Sequence, residues 1–283
     1  MAKQRRASLR EVRLFYAKQM ALASNFGDER LERAFAAVHR EDFLPPGPWR
    51  IGRIGLHDCG LQTPSADPAY IYQNCLVALD EAKAINNGEP FLHAAWLGAV
   101  QPRAGDHICQ IGVGLGYYTA ILSRLASPGG HVTGIELDER LAADAMKNLA
   151  HNESVEVVCG NATKLTLPES DLIYVNAGVA APPISWLKSL RLNGRMIFPW
   201  RPSESVALTL LVTRREKGFE VKPLMQAWFI PCIGASDTSG CSRVPDIDEA
   251  RNVRSLWLNS QRMPDDSAIG VFPDIWFSPS GLD

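Results

Sequence analysis

Three glycines at alternate positions, Gly112, Gly114 and Gly116, follow a short apolar run and lead through Tyr117 into a segment with helical spacing. Glycine in such a turn lets the backbone bend sharply and approach a ligand, because no Cβ intervenes. A dinucleotide fingerprint would place its third glycine where this chain has Tyr117. The G-x-G-x-G turn, with Val113 inside it, suits a small nucleoside ligand without a pyrophosphate, and S-adenosylmethionine is the obvious one. Plain strand-to-helix connections also use glycine-rich turns. Three further places would converge on the same crevice. Glu136, followed by Leu137, ends the next apolar segment about 20 residues on, where a carboxylate accepts hydrogen bonds from both ribose hydroxyls. Gly160-Asn161-Ala162 follows a third such segment, where an amide pairs with an adenine edge. Asn176-Ala177-Gly178 follows a fourth, where a methyl group and its acceptor would meet. Each has an ordinary reading as a strand-end carboxylate or a turn asparagine. The four together argue for a cofactor site.

Methyl transfer from a sulfonium is an in-line displacement, and positioning alone supplies ~7–11 kcal/mol of such a barrier. A carboxylate acceptor needs no general base at pH 7, whereas an alcohol or a protonated amine does, and histidine is the common agent. His57 and His93 are the candidates nearest the Asn86–Pro90 segment. His93 lies in an apolar helical stretch and reads as a core or cofactor-facing histidine. His57-Asp58-Cys59 has no partner cluster at zinc-site spacing, so it reads as loop and no metal is expected. No catalytic residue is assigned.

The elements that must hold these residues follow from periodicity. Helices are predicted over residues 8–23 and 28–38, the second with Leu31, Ala34, Phe35 and Val38 on one face and Asp28 as its cap. Pro45-Pro46-Gly47-Pro48 marks a linker, residues 49–68 read as loop, and residues 70–84 fit a strand around 71–79 or a helix. Asn86-Asn87-Gly88-Glu89-Pro90 is a turn before an apolar helix over 91–100. Strands near 108–113, 131–137, 155–159, 171–176 and 195–199 then alternate with helices over 118–125, 138–150 and 183–190. Such alternation with short connections predicts an α/β sheet with parallel strands and right-handed crossovers. Residues 205–214 and 219–230 read as an antiparallel hairpin at its edge. Residues 236–283 carry few periodic signals and read as a tail that packs through Trp257, Trp276 and Phe277 or stays partly mobile.

Composition excludes several classes. Of the 283 residues 21% are charged and 46% hydrophobic, which is ordinary for a globular chain with a sizeable core. A formal net charge of -2 gives no electrostatic reason to expect nucleic-acid binding. Arg5, Arg6, Arg10 and Arg13 make a basic start, read beside Glu11 as a solvated helix face. No apolar run approaches the roughly 18 residues of a membrane span, and Lys18 and Gln19 interrupt any secretory signal. Cysteines 59, 75, 109, 159, 232 and 241 form no C-x-x-C pair, so reduced thiols and a cytoplasmic location are expected.

The order of motifs resembles the protein-L-isoaspartate (D-aspartate) O-methyltransferase family, within the class I S-adenosylmethionine-dependent methyltransferases. The resemblance rests on the segment from Ala34 to Leu44 with its Arg40-Glu41-Asp42-Phe43, and on Gln110-Ile-Gly-Val-Gly-Leu-Gly-Tyr117. It continues with Val132-Thr-Gly-Ile-Glu-Leu137, with Asp171 to Gly178 and with Leu190 to Pro199, and it covers residues 10 to 235. It implies a Rossmann-like sheet, mostly parallel with helices on both faces and an antiparallel edge hairpin. A helical N-terminal segment (1–48) would precede the cofactor-binding domain (49–235), and a C-terminal extension of unknown role (236–283) would follow it. It also implies S-adenosylmethionine held by Gly112, Val113, Gly114, Gly116, Glu136, Leu137, Asn161, Ala162 and Asn176. A substrate loop of Asn86, Asn87, Gly88, Glu89 and Pro90 would lie over the cofactor. In the family that loop carries a serine for the substrate; here Gly88 stands at its place, and Asn161 replaces an aspartate. The readings that remain open are transfer to a carboxylate of a peptide or protein, transfer to a small-molecule acceptor, and cofactor binding by a non-catalytic partner protein. A nicotinamide-dependent oxidoreductase is disfavoured by Tyr117.

Overall fold

The computed structural model describes residues 7–25, 28–52 and 60–282. Arg5, Arg6 and the His57-Asp58-Cys59 loop therefore lie outside the described residues. Helices α1 (Leu9–Ala23) and α2 (Glu29–Ala37) begin at side-chain caps, Ser8 in a capping box with Glu11 and Asp28 accepting from Arg30 N. Arg13 departs from the expected solvated face: it pairs with Glu41 and donates to Tyr72 Oη at 3.1 Å. Residues 49–52 and 60–86 are more regular than a loop. They form β1 (Arg50–Gly52), β2 (Leu61–Gln62), β3 (Leu76–Asp80) and β4 (Ile85–Asn86), a small antiparallel sheet ordered β2-β1-β3-β4. Strands of two to five residues leave too little sequence for alternation to register. Of the two readings of residues 70–84, the strand holds over Leu76–Asp80, after a short 3-10 helix at Pro68–Ile71.

The predicted alternation is present from there on. Helix α3 (Pro90–Val100), strand β5 (His107–Ile111), α4 (Tyr117–Ala126), β6 (His131–Glu136), α5 (Glu139–Leu149) and β7 (Val155–Cys159) are followed by β8 (Ser170–Val175), α6 (Ile184–Ser189) and β9 (Leu190–Trp200). Then come β10 (Leu208–Arg214), β11 (Phe219–Gln226), α7 (Ile247–Arg251), β12 (Ser255–Leu258), β13 (Gly270–Val271) and β14 (Ile275–Ser278). Ten of these strands make one sheet, ordered β13-β14-β12-β11-β10-β9-β8-β5-β6-β7. Strands β9, β8, β5, β6 and β7 are mutually parallel, and the rest add antiparallel.

Alternation along β8 shows the two cores directly. Leu172 and Tyr174 join the cluster of Tyr16, Phe35, Trp96 and Ile121, while Ile173 and Val175 join that of Trp186, Phe198, Trp200 and Leu256. Both faces of the sheet are thereby covered, as the parallel arrangement requires.

The β10–β11 hairpin is not the border of the sheet. Leu256 of β12 pairs with Phe219, and Trp257 pairs with Trp276 of β14. Trp276 and Phe277 are fully buried, and the Phe277 ring lies 4.5 Å from that of Trp200. The tail is thus continuous with the main sheet. All four residues of β12, and all four of β14, are buried, so neither strand could show the polar alternation of a half-exposed one.

Candidate functional site: the crevice between β5 and β8

From β5 the chain steps to β6 and β7 on one side, then returns to place β8 on the other. In open α/β sheets that reversal opens a crevice outside the carboxyl ends of the strands, and ligands bind there. Gly112 follows β5 and Asn176 follows β8, so the two flank the switch point. Asn176 packs 3.3 Å from where a Gly112 Cβ would stand, and its Nδ2 donates to Gly112 O at 2.8 Å.

The turn's glycines have different reasons to be there. Gly114, at φ +59°, has among the described residues no neighbour within 4 Å of a would-be Cβ except Leu79 Cδ1 at 3.5 Å. Leu79 belongs to the β3–β4 hairpin, which lies over its bare face. Gly116, at φ +98°, caps α4, and a Cβ there would come 2.7 Å from Leu149 Cδ1, so this glycine serves helix packing. Val113 is buried, its Cγ2 filling the space over Gly134, so it offers the crevice only backbone.

Glu136 turns toward the glycine turn. Its Oε2 accepts from Gly114 N at 2.8 Å and its Oε1 from Asp138 N at 3.0 Å, and the residue is 7% exposed. Each oxygen has a second lone pair to offer a hydroxyl. Leu137 beside it is 44% exposed, an apolar surface next to the carboxylate. Asn161 forms a turn: its Oδ1 accepts from Thr163 N at 2.9 Å and Thr163 Oγ1 at 2.8 Å, which leaves its Nδ2 as the donor for a ligand. Ala162 is buried, and its carbonyl accepts from Trp186 Nε1.

The Asn86–Pro90 loop is tightly bound. Asn86 Oδ1 accepts from Gly88 N, Asn87 Oδ1 accepts from Val77 N at 3.0 Å, and Glu89 Oε1 accepts from Asn74 Nδ2. Arg40, fully buried, secures it from the N-terminal segment. Its guanidinium donates to the carbonyls of Ile71, Gln73 and Cys75 and to Asn87 Oδ1 at 3.1 Å. Pro90 opens α3, where its missing N–H costs nothing. The β3–β4 hairpin is further tied to the β6–α5 connection by Lys83 with Asp138 and by Arg140 with Asp80 at 3.4 Å.

Gly88 and His93 fit each other. At φ +77°, a Cβ on Gly88 would overlap the imidazole, falling 2.8 Å from Cδ2 and 3.1 Å from Tyr118 Cε2. The imidazole stacks on Tyr118, with centroids 3.6 Å apart, and its Nδ1 lies 2.9 Å from Tyr174 Oη. Burial, with the Arg40 charge adding, pushes the His93 pKa down to about 3, so the ring is neutral. Burial also holds the Tyr174 phenol protonated, and it has no other acceptor among the described residues. Its hydroxyl therefore donates to Nδ1, which places the ring proton on Nε2.

Sequence reasoning passed over Arg40 as a loop anchor, over Tyr174, over Leu79 and over Gln110, whose side chain is fully buried on β5. A lone amide in an apolar strand was the available signal for Gln110; Arg40, between His39 and Glu41-Asp42, carried none. Among the described residues no group of three His, Cys, Asp or Glu side chains gathers to hold a metal, and no helix is long and apolar enough to cross a membrane.

This sheet order, with a carboxylate and a glycine turn meeting at its switch point, defines the class I methyltransferase fold. The model of the protein-L-isoaspartate(D-aspartate) O-methyltransferase family matches residues 63–237, more than half of the chain. A protein-L-isoaspartate O-methyltransferase of Methanoculleus marisnigri is 29% identical over 216 residues, covering 75% of this chain and 87% of that one. One from Protochlamydia amoebophila is 32% identical over 168 residues, 58% of this chain and 78% of the relative. Among solved structures, a protein-L-isoaspartate O-methyltransferase superposes with a TM-score of 0.66 at 19% identity, over 96% of this chain and 88% of that one. A putative one from Plasmodium falciparum, in complex with S-adenosyl-L-homocysteine, gives 0.61 at 16% identity over 78% of this chain and 97% of its own. The chain belongs to the protein-L-isoaspartate(D-aspartate) O-methyltransferase family, and so to the S-adenosylmethionine-dependent methyltransferases.

Proposed function

We propose that the crevice transfers a methyl group from S-adenosylmethionine to a carboxylate oxygen of a peptide or protein. The cofactor, when bound, supplies a methyl group activated on a sulfonium. The residues present fit it. Glu136 has lone pairs left for ribose hydroxyls, Leu137 offers an apolar face and Asn161 Nδ2 an amide donor for the adenine. Gly112, Gly114 and Asn176 line the amino-acid end with main chain and amide groups, while Val113, Gly116 and Ala162 hold the turns in shape.

One observation carries the choice of acceptor. Among the described residues the histidine nearest the loop, His93, is neutral with a pKa of about 3, and the phenols of Tyr118 and Tyr174 beside it are held well above their usual range by burial. None of the three is a general base near pH 7. A carboxylate acceptor is ionised there and requires none. The names of the relatives favour a polypeptide as its bearer. The loop of Asn86, Asn87, Gly88, Glu89 and Pro90 forms the wall on the acceptor side, presenting backbone at Gly88. The three segments of the chain act as one unit: Arg40 of the first holds Asn87, and β12 of the last extends the sheet. The five described cysteines are free thiols, and we place the protein in the cytoplasm on that account. Calorimetry with S-adenosylmethionine tests the reading: saturable binding is expected, and no binding at high micromolar ligand would end it.

A further inference from the structure

Arg201, the residue after β9, is a half-buried cation that no acidic side chain among the described residues neutralises. Arg195, near the other end of the same strand, pairs with Asp106 at 2.5 Å. Along β9, Ile197 faces the core of Tyr174 and Trp96, while Phe198 and Trp200 face the opposite one. Arg201, still paired through its N–H to Val179 O at 2.8 Å, therefore returns to the face of Tyr174 and His93. Its stem crosses Gly178, where a Cβ would come 3.0 Å from Arg201 Cδ. The guanidinium lies 4.9 Å from the half-exposed Trp228 ring, and Nη1 donates to Phe229 O at 2.5 Å. The Phe229 ring in turn meets that of His93, the neighbour of Gly88, at 6.3 Å. A chain of contacts thus runs from Gly178 through Arg201 and Phe229 to the wall at Gly88, with the charge inside it. Nη1 is engaged, and Nε is buried with no acceptor among the described residues. The edge formed by Nε and Nη2 is the fork that fits a carboxylate with two parallel hydrogen bonds. A buried donor left without a partner beside a crevice implies an acceptor that arrives with the ligand.

We infer that Arg201 holds the reacting carboxylate of the acceptor, in place of the serine hydroxyl that Gly88 does not supply. This rests on the reading above of a polypeptide carboxylate as acceptor. A guanidinium donates only, so it favours an anion over an alcohol and repels a protonated amine. The acceptor is an anion before transfer and a neutral ester after it. The contact is therefore strongest before the methyl arrives. Arg201 tightens the binding of the acceptor more than it speeds its reaction, and it loosens its hold on the ester product.

Calorimetry on the full chain loaded with S-adenosylhomocysteine tests this with two peptides. One bears an isoaspartyl α-carboxylate; the other is the same peptide with that group as a primary amide. The wild-type protein is expected to prefer the acid by at least about tenfold, the range for hydrogen bonds to a charged group. Arg201→Met should remove most of that preference while leaving the Kd of the amide peptide, and that of S-adenosylhomocysteine, in place. Arg201→Lys should restore part of it, since the charge returns without the fork. Arg201→Gln, which keeps a donor for Phe229 O, decides the matter should the Met variant fail to fold. In turnover, the neutral variants should show a KM for the acid peptide raised by the same factor, with a smaller change in kcat. No preference in the wild type, or one that survives both neutral substitutions, overturns the inference and leaves methyl transfer itself intact. A wild-type protein that binds S-adenosylhomocysteine but neither peptide overturns the polypeptide acceptor as well.

Discussion

Replacing Gly88 with serine puts back the residue that the family resemblance leads one to expect, and the structure predicts that the chain will not tolerate it. The backbone there has φ +77°, a left-handed conformation that costs a non-glycine residue ~1–2 kcal/mol. The new Cβ would also overlap the His93 ring and stand 3.1 Å from Tyr118, which is overpacking at ~1–3 kcal/mol. The sum is a loss of about 2–5 kcal/mol. Urea unfolding reads it as a lower midpoint with an unchanged slope. Gly88→Ala should lose about as much, because the backbone and the Cβ are responsible and the hydroxyl is not. Adding His93→Ala removes the overlap but not the backbone cost, so the double variant should recover ~1–3 kcal/mol relative to additivity. A Gly88→Ser protein as stable as the wild type, with His93 still stacked on Tyr118, would refute the account of this contact.

Other perturbations give independent checks. With its folded pKa lowered to about 3, His93 binds its proton in the unfolded chain first, so stability is full above pH ~6.5 and falls as pH drops toward 3, by up to ~5 kcal/mol. Denaturation midpoints of wild type and His93→Gln between pH 4 and 7 should diverge accordingly, and parallel curves would contradict the burial argument. Glu136→Ala should raise the Kd of S-adenosylhomocysteine by about 10–150-fold through lost hydrogen bonds, read by calorimetry. Arg40→Met should cost ~3–5 kcal/mol by leaving several buried oxygens without donors, and should speed amide exchange at Val77, whose partner Asn87 loses its anchor.

The parallel half of the fold was legible because β5 to β9 and their helices announce themselves by period, cap and turn. Asp28, expected as a cap, and Asp138, at the expected helix start, both accept backbone hydrogen bonds there. Glu136 and the glycine turn could be placed because strand ends in such sheets meet by topology. What escaped was set by packing across long sequence distances. Nothing local tells that Gly116 exists for Leu149, or that Gly88 lies on His93. Arg40 reads as an ordinary surface arginine until residues 71–75 fold over it. The tail escaped for a different reason: β12 and β14 are short and buried on both faces, so they show neither a helical nor a strand period.

The most direct test follows a labelled methyl group. Incubated with labelled S-adenosylmethionine and a peptide bearing an isoaspartyl carboxylate, the protein is expected to label the peptide in a form that mild base releases as methanol, the mark of an ester. Glu136→Ala should lower the rate at limiting cofactor. Label that survives base, or that appears only on small amines or alcohols, would contradict transfer to a polypeptide carboxylate.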